Sequence, residues 1–205
     1  IRAHHDHQAK IWKSVRSELQ AFSSIMPLLQ HSWSAEWSEQ VLCTDACLGG
    51  YGAVVGSMSV EQVRALGSVR ERRRFKFKSA GGRARALRQD PWAGTSADPD
   101  PDLDEWEVDE CFPEVDPALL LGIDWTVVCD GPYVHAEPIH ILEARAQHSG
   151  ILEAHAHHGW TGKRTLTLLD NMSDVLALER ARAHNFGLLL QLRRSAAMSI
   201  VFDIR

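Results

Sequence analysis

The feature that most constrains the fold is the stretch VLCTDACLGGYGAVVG, which covers residues 41–56. Two apolar runs are separated by a Gly-Gly pair, a pattern typical of two antiparallel strands joined by a tight turn. It predicts strands over Val41–Ala46 and Tyr51–Ser57. One acid, Asp45, interrupts the first run. A carboxylate in a strand that is buried on both faces is costly unless it is paired, protonated or bound to a metal ion.

The rest of the chain alternates between further strand and helix patterns. An amphipathic helix is predicted within residues 8–30, where apolar residues recur at helical spacing. Later patterns predict a helix from Val60 to about Arg74 capped by Ser59, a strand over 125–130, a helix from Pro138 to about His158, a strand over Arg164–Asp170, helices over 172–183 and 186–196, and a strand over Met198–Arg205. We therefore predict an α/β fold, a mixed five-stranded sheet with flanking helices.

Charge is distributed unevenly between the strands. Residues 70–88 are basic and residues 98–116 are acidic, with a segment rich in Gly, Pro and small residues between them. We interpret about 79–117 as a flexible insertion. It is either a solvated, self-neutralising loop, or its basic part contacts phosphates. The candidate nucleic-acid-binding residues are Arg72, Arg73, Arg74, Lys76 and Lys78.

Composition limits the remaining possibilities. The chain has 205 residues and a formal net charge of -5, which argues against a generic basic nucleic-acid binder. It has no apolar stretch of roughly 18 residues, so we expect no membrane partner. Its four cysteines have no paired C-x-x-C spacing, and a reduced chain in the cytoplasm or nucleus is expected.

The start is polar and has no initiator Met, which favours a piece of a longer polypeptide. We assign 1–40 to a helix and connector and 41–205 to the main domain.

Three acids stand out by their positions. Asp45 lies in the first strand, Glu143 in the first turns of the main helix, and Asp170 at the end of the fourth strand. Clustered carboxylates repel one another, and a cation with a preference for oxygen ligands, such as Mg²⁺, removes that cost. Each acid also has a structural interpretation: Asp45 can satisfy a turn or neighbouring backbone, Asp170-Asn171 can cap the next helix, and Glu143 can lie on the surface of an amphipathic helix.

Three motifs resemble those of ribonuclease H domains in retroelement reverse transcriptases, closest to the DIRS-like, tyrosine-recombinase class of retrotransposons. TDACLGGYGAV resembles "TDAS..G.GAV", IHILEARA resembles "HIN.LEARA", and LTLLDNMSDVLAL resembles "V..DN..VV..L". The resemblance covers about residues 8–57 and 112–205. It implies a nuclease that cleaves the RNA strand of an RNA–DNA hybrid by a two-metal mechanism, with Asp45, Glu143 and Asp170 holding two Mg²⁺ or Mn²⁺ ions and a metal-bound water as the nucleophile. The remainder of a reverse transcriptase polyprotein would be a further partner.

Several alternatives stay open. Glu153, ten residues beyond Glu143 in a near-repeat, is a rival helix ligand that points about 80° away around the helix. The family's fourth acid lies on a last helix that is missing here, and Asp203 comes too early to replace it. A catalytically inactive nucleic-acid-binding or connection domain is therefore the alternative function. A third hypothesis is a zinc-binding protein that uses the histidines at 155, 157 and 158.

Overall fold

The computed structural model describes residues 11–28, 34–77 and 106–205. The chain divides into two compact units, Ile1–Ala35 and Glu36–Arg205. In the first unit, helix α1 spans Lys13–Ile25 and is followed by a 3₁₀ turn over Met26–Leu28. This confirms the helix predicted from the apolar spacing. No residue of α1 is buried.

The second unit is a mixed α/β domain built on a four-stranded sheet. Its strands are β1 (Trp37–Cys47), β2 (Gly50–Ser57), β3 (Phe75–Phe77), β4 (Trp106–Val108), β5 (Thr126–Pro132) and β6 (Arg164–Leu168). The main sheet has the order β5-β2-β1-β6, and β3 pairs only with β4 among the described residues. β2 is antiparallel to β1 and β5, whereas β6 is parallel to β1. The predicted hairpin is confirmed, although β1 begins at Trp37.

Five helices belong to this unit: α2 (Val60–Gly67), α3 (Pro117–Leu121), α4 (Ile139–His158), α5 (Met172–Arg180) and α6 (Phe186–Phe202). Ser59 and Gln62 form a reciprocal capping box at the start of α2, as expected for a helix that begins there. The prediction that this helix continues to about Arg74 is wrong. After Gly67 the chain turns into a 3₁₀ segment over Glu71–Arg74, which leads directly into β3.

The end of the predicted insertion is also corrected. Residues 79–105 lie outside the described part of the chain, but residues 106–117 are structured. β4 pairs with β3, Phe112 is buried, and the Asp116 side chain accepts a hydrogen bond from the Ala118 N–H at the start of α3. Long-range pairing with β3 orders this segment, which the local acidic composition did not predict.

The predicted fifth strand over Met198–Arg205 is wrong for most of its length. α6 continues to Phe202, with Met198 buried on its inner side. A short apolar run such as MSIVF fits a helix as well as a strand, so periodicity alone could not decide. After the helix, the last residues pair with the start of β6. The Gly162 N–H donates to the Asp203 carbonyl at 2.9 Å, the Arg205 N–H donates to the Lys163 carbonyl at 3.0 Å, and the Thr165 N–H donates to the Arg205 carbonyl at 2.6 Å.

Helices cover both faces of the main sheet. On one face α4 packs on a core that includes Leu42, Ala53 and Trp160, and on the other α2 contributes Val63 to a cluster with Val41. The close approach of α4 depends on Gly150, where an added Cβ would lie 2.9 Å from both Ala53 Cβ and Thr44 Cγ2. Helix α4 is thereby held against the sheet. In the described ranges, no helix is long and apolar enough to cross a membrane.

Candidate metal centre

Three carboxylates from three separate elements meet at one end of the sheet. One oxygen each from Asp45, Glu143 and Asp170 lies within 4.8 Å of the other two. Asp45 is near the end of β1, and Asp170 follows the end of β6 by two residues. These two strands are adjacent and parallel, so their carboxyl ends meet at the same edge. Glu143 reaches them from the second turn of α4. The structure thus brings together the three acids that the sequence singled out.

The burial of these acids differs from the expectation. Asp45 was expected to be the buried acid, but Asp45 and Asp170 are exposed, whereas Glu143 is only 3% exposed. Asp45 is paired across the hairpin with Gly52, where an added Cβ would meet nothing within 4 Å. The open space on that side gives Asp45 access to water. The free-energy cost of removing a carboxylate from water therefore applies to Glu143 in α4 rather than to Asp45 in β1.

The electrostatic cost is visible in the pKa of Glu143. Burial, followed by the negative charges of Asp170 and Asp45, raises this pKa to about 7, and a hydrogen bond from the Ala46 backbone N–H opposes the rise. The Glu143 Oε2 atom has no hydrogen-bond partner within the described residues. Buried carboxylate oxygens normally have partners, so an unsatisfied oxygen in a group of acids indicates a missing cation or water.

The donor set fits a divalent cation that prefers oxygen. Oxygens on one octahedral Mg²⁺ lie about 2.9 Å apart when they are adjacent and about 4.2 Å apart when they are opposite, so the three side chains would move closer together to share one ion. A site made entirely of carboxylates suits Mg²⁺ and Mn²⁺ rather than Zn²⁺, which usually takes nitrogen or sulfur ligands in structural sites. Asp45, Glu143 and Asp170 would hold the ion.

Tyr133 closes one side of the centre. Its hydroxyl donates a hydrogen bond to the Leu142 carbonyl at 2.7 Å, and its ring packs against Tyr51 with centroids 5.2 Å apart. Burial and then the charge of Glu143 raise the Tyr133 pKa to about 12, so the phenol stays protonated at neutral pH. Tyr133 therefore holds the start of α4 beside the hairpin without adding charge.

Glu153 does not belong to this group. It lies on an exposed part of α4, and its charge acts on Cys129 of β5, whose pKa is raised by burial, then by Glu153. Beside the acids lies an open concavity of about 480 Å³, lined by the β1–β2 hairpin and by Asp130 of β5. Asp130 pairs with Gly52, so the concavity extends from Asp45 across three strands.

The basic residues proposed to bind nucleic acid lie near the C-terminal end of α5, whereas Asp170 precedes its N-terminal end. The backbone N–H groups of Glu71 and Arg72 donate to the carboxylate of Glu179, in the last turn of α5, at 2.9 and 3.1 Å. Asp170 precedes the first turn of this helix. Glu179 lies seven residues after Met172, where α5 begins, which corresponds to a rise of about 10 Å along the helix. The basic segment is thus anchored away from the acids.

Two of the five basic side chains are already paired within the chain. Arg74 forms ion pairs with Glu71 and Glu114 and stacks on Phe112, 4.4 Å from the ring centroid. Lys76 pairs with Asp109 at 2.6 Å. The side chains of Arg72 and Arg73 are exposed, and Lys78 lies outside the described residues. Nucleic-acid binding by these residues stays a prediction, and Arg72 and Arg73 remain its strongest candidates.

The histidines at the end of α4 do not form a comparable group. His155 packs on Phe202 and His158 stacks on Trp160. Among the described residues, the three acids are the only group of three or more metal-ligating side chains with converging atoms. The zinc hypothesis therefore has no geometric support in this part of the chain.

One acid near the centre was missed in the sequence. Asp174, in the first turn of α5, is fully buried, and burial, followed by the charges of Glu143 and Asp170, raises its pKa to about 7. It follows Asp170 by four residues, but Asp170 and the N-cap Asn171 precede the helix, so helical spacing in the sequence did not relate the two acids.

No protein-family model, no curated protein and no solved structure matches the chain. The resemblance to ribonuclease H domains therefore rests on the motifs themselves and on the site described above.

Proposed function

We propose that the chain is a ribonuclease H-like, metal-dependent endonuclease that cleaves the RNA strand of RNA–DNA hybrids. The observation that carries the proposal is the convergence of Asp45, Glu143 and Asp170. They come from a hairpin strand, a helix packed on the sheet and the end of a parallel strand, which are the elements on which the resemblance expects metal ligands. The order β5-β2-β1-β6 brings two of those strand ends together.

The three acids have different tasks in this proposal. The exposed Asp45 and Asp170 face solvent, where a phosphodiester can approach, and the buried Glu143 supports them from the helix side. When bound at such a site, divalent cations activate a water molecule for attack on phosphorus and stabilise the charge of the departing oxygen. The carboxylates contribute negative charge and fixed positions, because α4 is held on the sheet at Gly150.

The concavity beside Asp45 is the proposed entry for the scissile strand. It is open, includes the exposed acid in its lining and is lined mainly by hairpin residues, of which Gly49, Gly50 and Gly52 have no side chain. Backbone groups and small residues let a sugar–phosphate chain approach closely, and the 2′-hydroxyl is the group that distinguishes RNA from DNA. We propose that the RNA strand lies here and that Arg72 and Arg73 contact backbone phosphates farther along the hybrid.

The alternative is a domain that binds nucleic acid without cleaving it. Arg74 and Lys76 already form ion pairs with acids of this chain, so their charges are not available to bind phosphates. This argues against a binding domain that needs the whole basic segment to hold the hybrid. The unsatisfied Glu143 oxygen counts in favour of a centre that still binds a cation. The nuclease is therefore the better supported of the two, and we propose that it acts as part of a longer reverse transcriptase polyprotein.

The test is cleavage of an RNA–DNA hybrid with label on either strand, in Mg²⁺, by the whole chain and by Asp45→Asn. We expect cuts in the RNA strand only, and none with the variant. Glu153→Gln is the control and should cleave at the unmodified rate, because Glu153 lies on an exposed part of α4 and outside the converging group. Cleavage by Asp45→Asn at the same rate as the unmodified chain would contradict the proposal, as would equal cleavage of a DNA duplex.

A further inference from the structure

Asp130 is an acid of the proposed substrate concavity that the metal centre does not use. It lines the concavity together with Asp45 but lies outside the converging carboxylates. Its side chain is exposed, and among the residues that the structure describes no hydrogen bond or ion pair holds its carboxylate. The surface acid Asp109, by contrast, is paired with Lys76. Asp130 thus leaves an uncompensated carboxylate in the surface where we place the RNA strand.

The register of the sheet fixes the position of Asp130 relative to Asp45. Asp45 pairs with Gly52 in the antiparallel β1–β2 ladder, and Gly52 pairs with Asp130 in the antiparallel β2–β5 ladder. Directly opposed residues of antiparallel strands project to the same face of a sheet, so both carboxylates lie on one face with Gly52 between them. Opposed Cα atoms lie about 4.5–5.5 Å apart, which places the two aspartates about 10 Å apart. The space above Gly52 is open, because an added Cβ would meet nothing within 4 Å.

A carboxylate at this position discriminates between the groups that a nucleic acid presents. It only accepts hydrogen bonds, and it repels phosphates. The sugar–phosphate backbone of a DNA strand offers it acceptors and negative charge, whereas each ribose of an RNA strand offers a hydroxyl that can donate. Hydrogen bonds to a charged acceptor are also stronger than those between neutral groups. The acid therefore disfavours any backbone in the concavity unless a 2′-hydroxyl donates to it.

We propose that Asp130 is a specificity-determining residue that accepts a hydrogen bond from a 2′-hydroxyl of the RNA strand. This inference rests on the proposed function and names a residue that selects the strand. The separation from Asp45 means that the hydroxyl belongs to a nucleotide near the cut rather than to the one at the metal ligands. Both strands of a hybrid carry phosphates, so contacts to phosphate alone do not identify the RNA strand. Asp130 supplies that distinction.

The experiment removes the carboxylate and the hydroxyl separately and together. RNA strands with one 2′-deoxynucleotide at successive positions around a mapped cut are paired with DNA and cleaved in Mg²⁺. With the unmodified chain, the substitution at one position near the cut should lower kcat/KM by about tenfold, the effect of losing one hydrogen bond to a charged group. Asp130→Ala should lower kcat/KM on the all-RNA strand by a similar factor, and the 2′-deoxynucleotide at that position should then have no further effect.

Two further variants distinguish a direct contact from an indirect one. Asp130→Asn keeps an acceptor oxygen without its charge, so it should retain part of the discrimination at that position, whereas Asp130→Ala retains none. Glu153→Gln, which removes an exposed acid of α4, should leave the whole pattern unchanged. Sensitivity to 2′-deoxynucleotides at the other positions should persist in every variant, which also shows that the variants fold.

The outcomes separate this inference from the function. If Asp130→Ala cleaves the hybrid with the same sensitivity at every position, the role of Asp130 is overturned and the nuclease proposal stands. Faster cleavage of the all-RNA strand by Asp130→Ala would overturn it too, since the carboxylate would then only repel phosphate. An effect that follows guanine rather than the hydroxyl would assign the contact to a base and contradict the inference. If the unmodified chain cuts no hybrid, both proposals fail.

Discussion

The charged groups of this protein are arranged in opposite ways in two regions. Around β3 and β4, basic and acidic side chains neutralise one another: Arg74 pairs with Glu71 and Glu114, and Lys76 pairs with Asp109. At the end of the main sheet, the charges that raise the Glu143 pKa are all negative. The conspicuous charge runs of the sequence thus include structural pairs, whereas acids isolated among apolar residues form the candidate site.

The difference has a physical basis. Exposed ion pairs form readily wherever opposite charges are close in space, and each contributes little to stability. A group of like charges with a buried member is unfavourable unless a ligand compensates for it. Like-charge groups of this kind are therefore the better indicator of a binding site, and the following four experiments test that conclusion.

The largest expected effect is the loss of cleavage and of Mn²⁺ binding in the Glu143→Gln variant. This change removes the buried ligand while keeping its shape, so cleavage of the hybrid should fall by more than about 100-fold, beyond the loss typical of a supporting residue. Mn²⁺ affinity, measured by calorimetry, should fall with it. Glu153→Gln removes the same charge from the exposed part of α4 and should leave both unchanged. Similar losses in the two variants would mean that the site does not depend on the converging group.

A structural effect should follow from Gly150→Val. The added side chain would overlap Ala53 and Thr44 and push α4 away from the sheet. We expect the free energy of unfolding in urea to fall by about 1–3 kcal/mol, the usual cost of overpacking. Mn²⁺ affinity should also fall, because Glu143 moves with the helix.

Gly52→Ala is the matched control for stability, since its Cβ would meet nothing within 4 Å. Equal destabilisation by the two changes would contradict the close packing at Gly150.

The two regions should respond to pH with opposite signs. The Glu143 pKa is raised from 4.5 to about 7, so the folded state binds its proton more tightly than the unfolded chain. In metal-free buffer, stability should fall as pH rises from about 4.5 to about 7, and Asp174 acts in the same direction. The lowered pKa of Asp109, beside Lys76, adds stability above pH 3.8 that disappears only on further acidification.

Urea unfolding between pH 5 and pH 8 therefore covers the titration of Glu143 and lies above that of Asp109. Burial and then the charge of Arg194 lower the pKa of His148 from 6.5, which adds a smaller change of the opposite sign in this range. The decline in stability should be smaller in Glu143→Gln, and excess Mg²⁺ should restore stability at pH 8. A decline of the same size in Glu143→Gln would assign the pH dependence to other groups.

The smallest effect is expected in the paired region. Lys76→Ala should change the salt dependence of hybrid binding very little, since its ammonium group is already paired with Asp109. Arg72→Ala combined with Arg73→Ala should reduce the slope of log affinity against log salt by about 1 for each phosphate that the protein no longer neutralises. Fluorescence anisotropy at several salt concentrations measures both. An equal reduction in slope from Lys76→Ala would mean that this ion pair opens when the hybrid binds.

Most of the local structure could be predicted from the sequence. The hairpin around the Gly-Gly pair, the helix cap at Ser59 and the long helix that Gly159 ends follow from short-range patterns, and the structure confirms them. The predictions of secondary structure were wrong where contacts between residues far apart in the sequence determine the conformation. Met198–Phe202 is helical although its apolar run also fits a strand, and residues 106–117 are ordered by pairing with β3.

The sequence by itself determined which acids to examine, because a carboxylate within an apolar strand and another after a strand are exceptional at short range. Only the tertiary structure decided that Glu143, rather than Asp45, carries the cost of burial. It alone revealed Asp174 as a buried neighbour. Burial and the field of other charges depend on how α4 and α5 pack against each other and on the sheet, and that packing joins residues far apart in the chain.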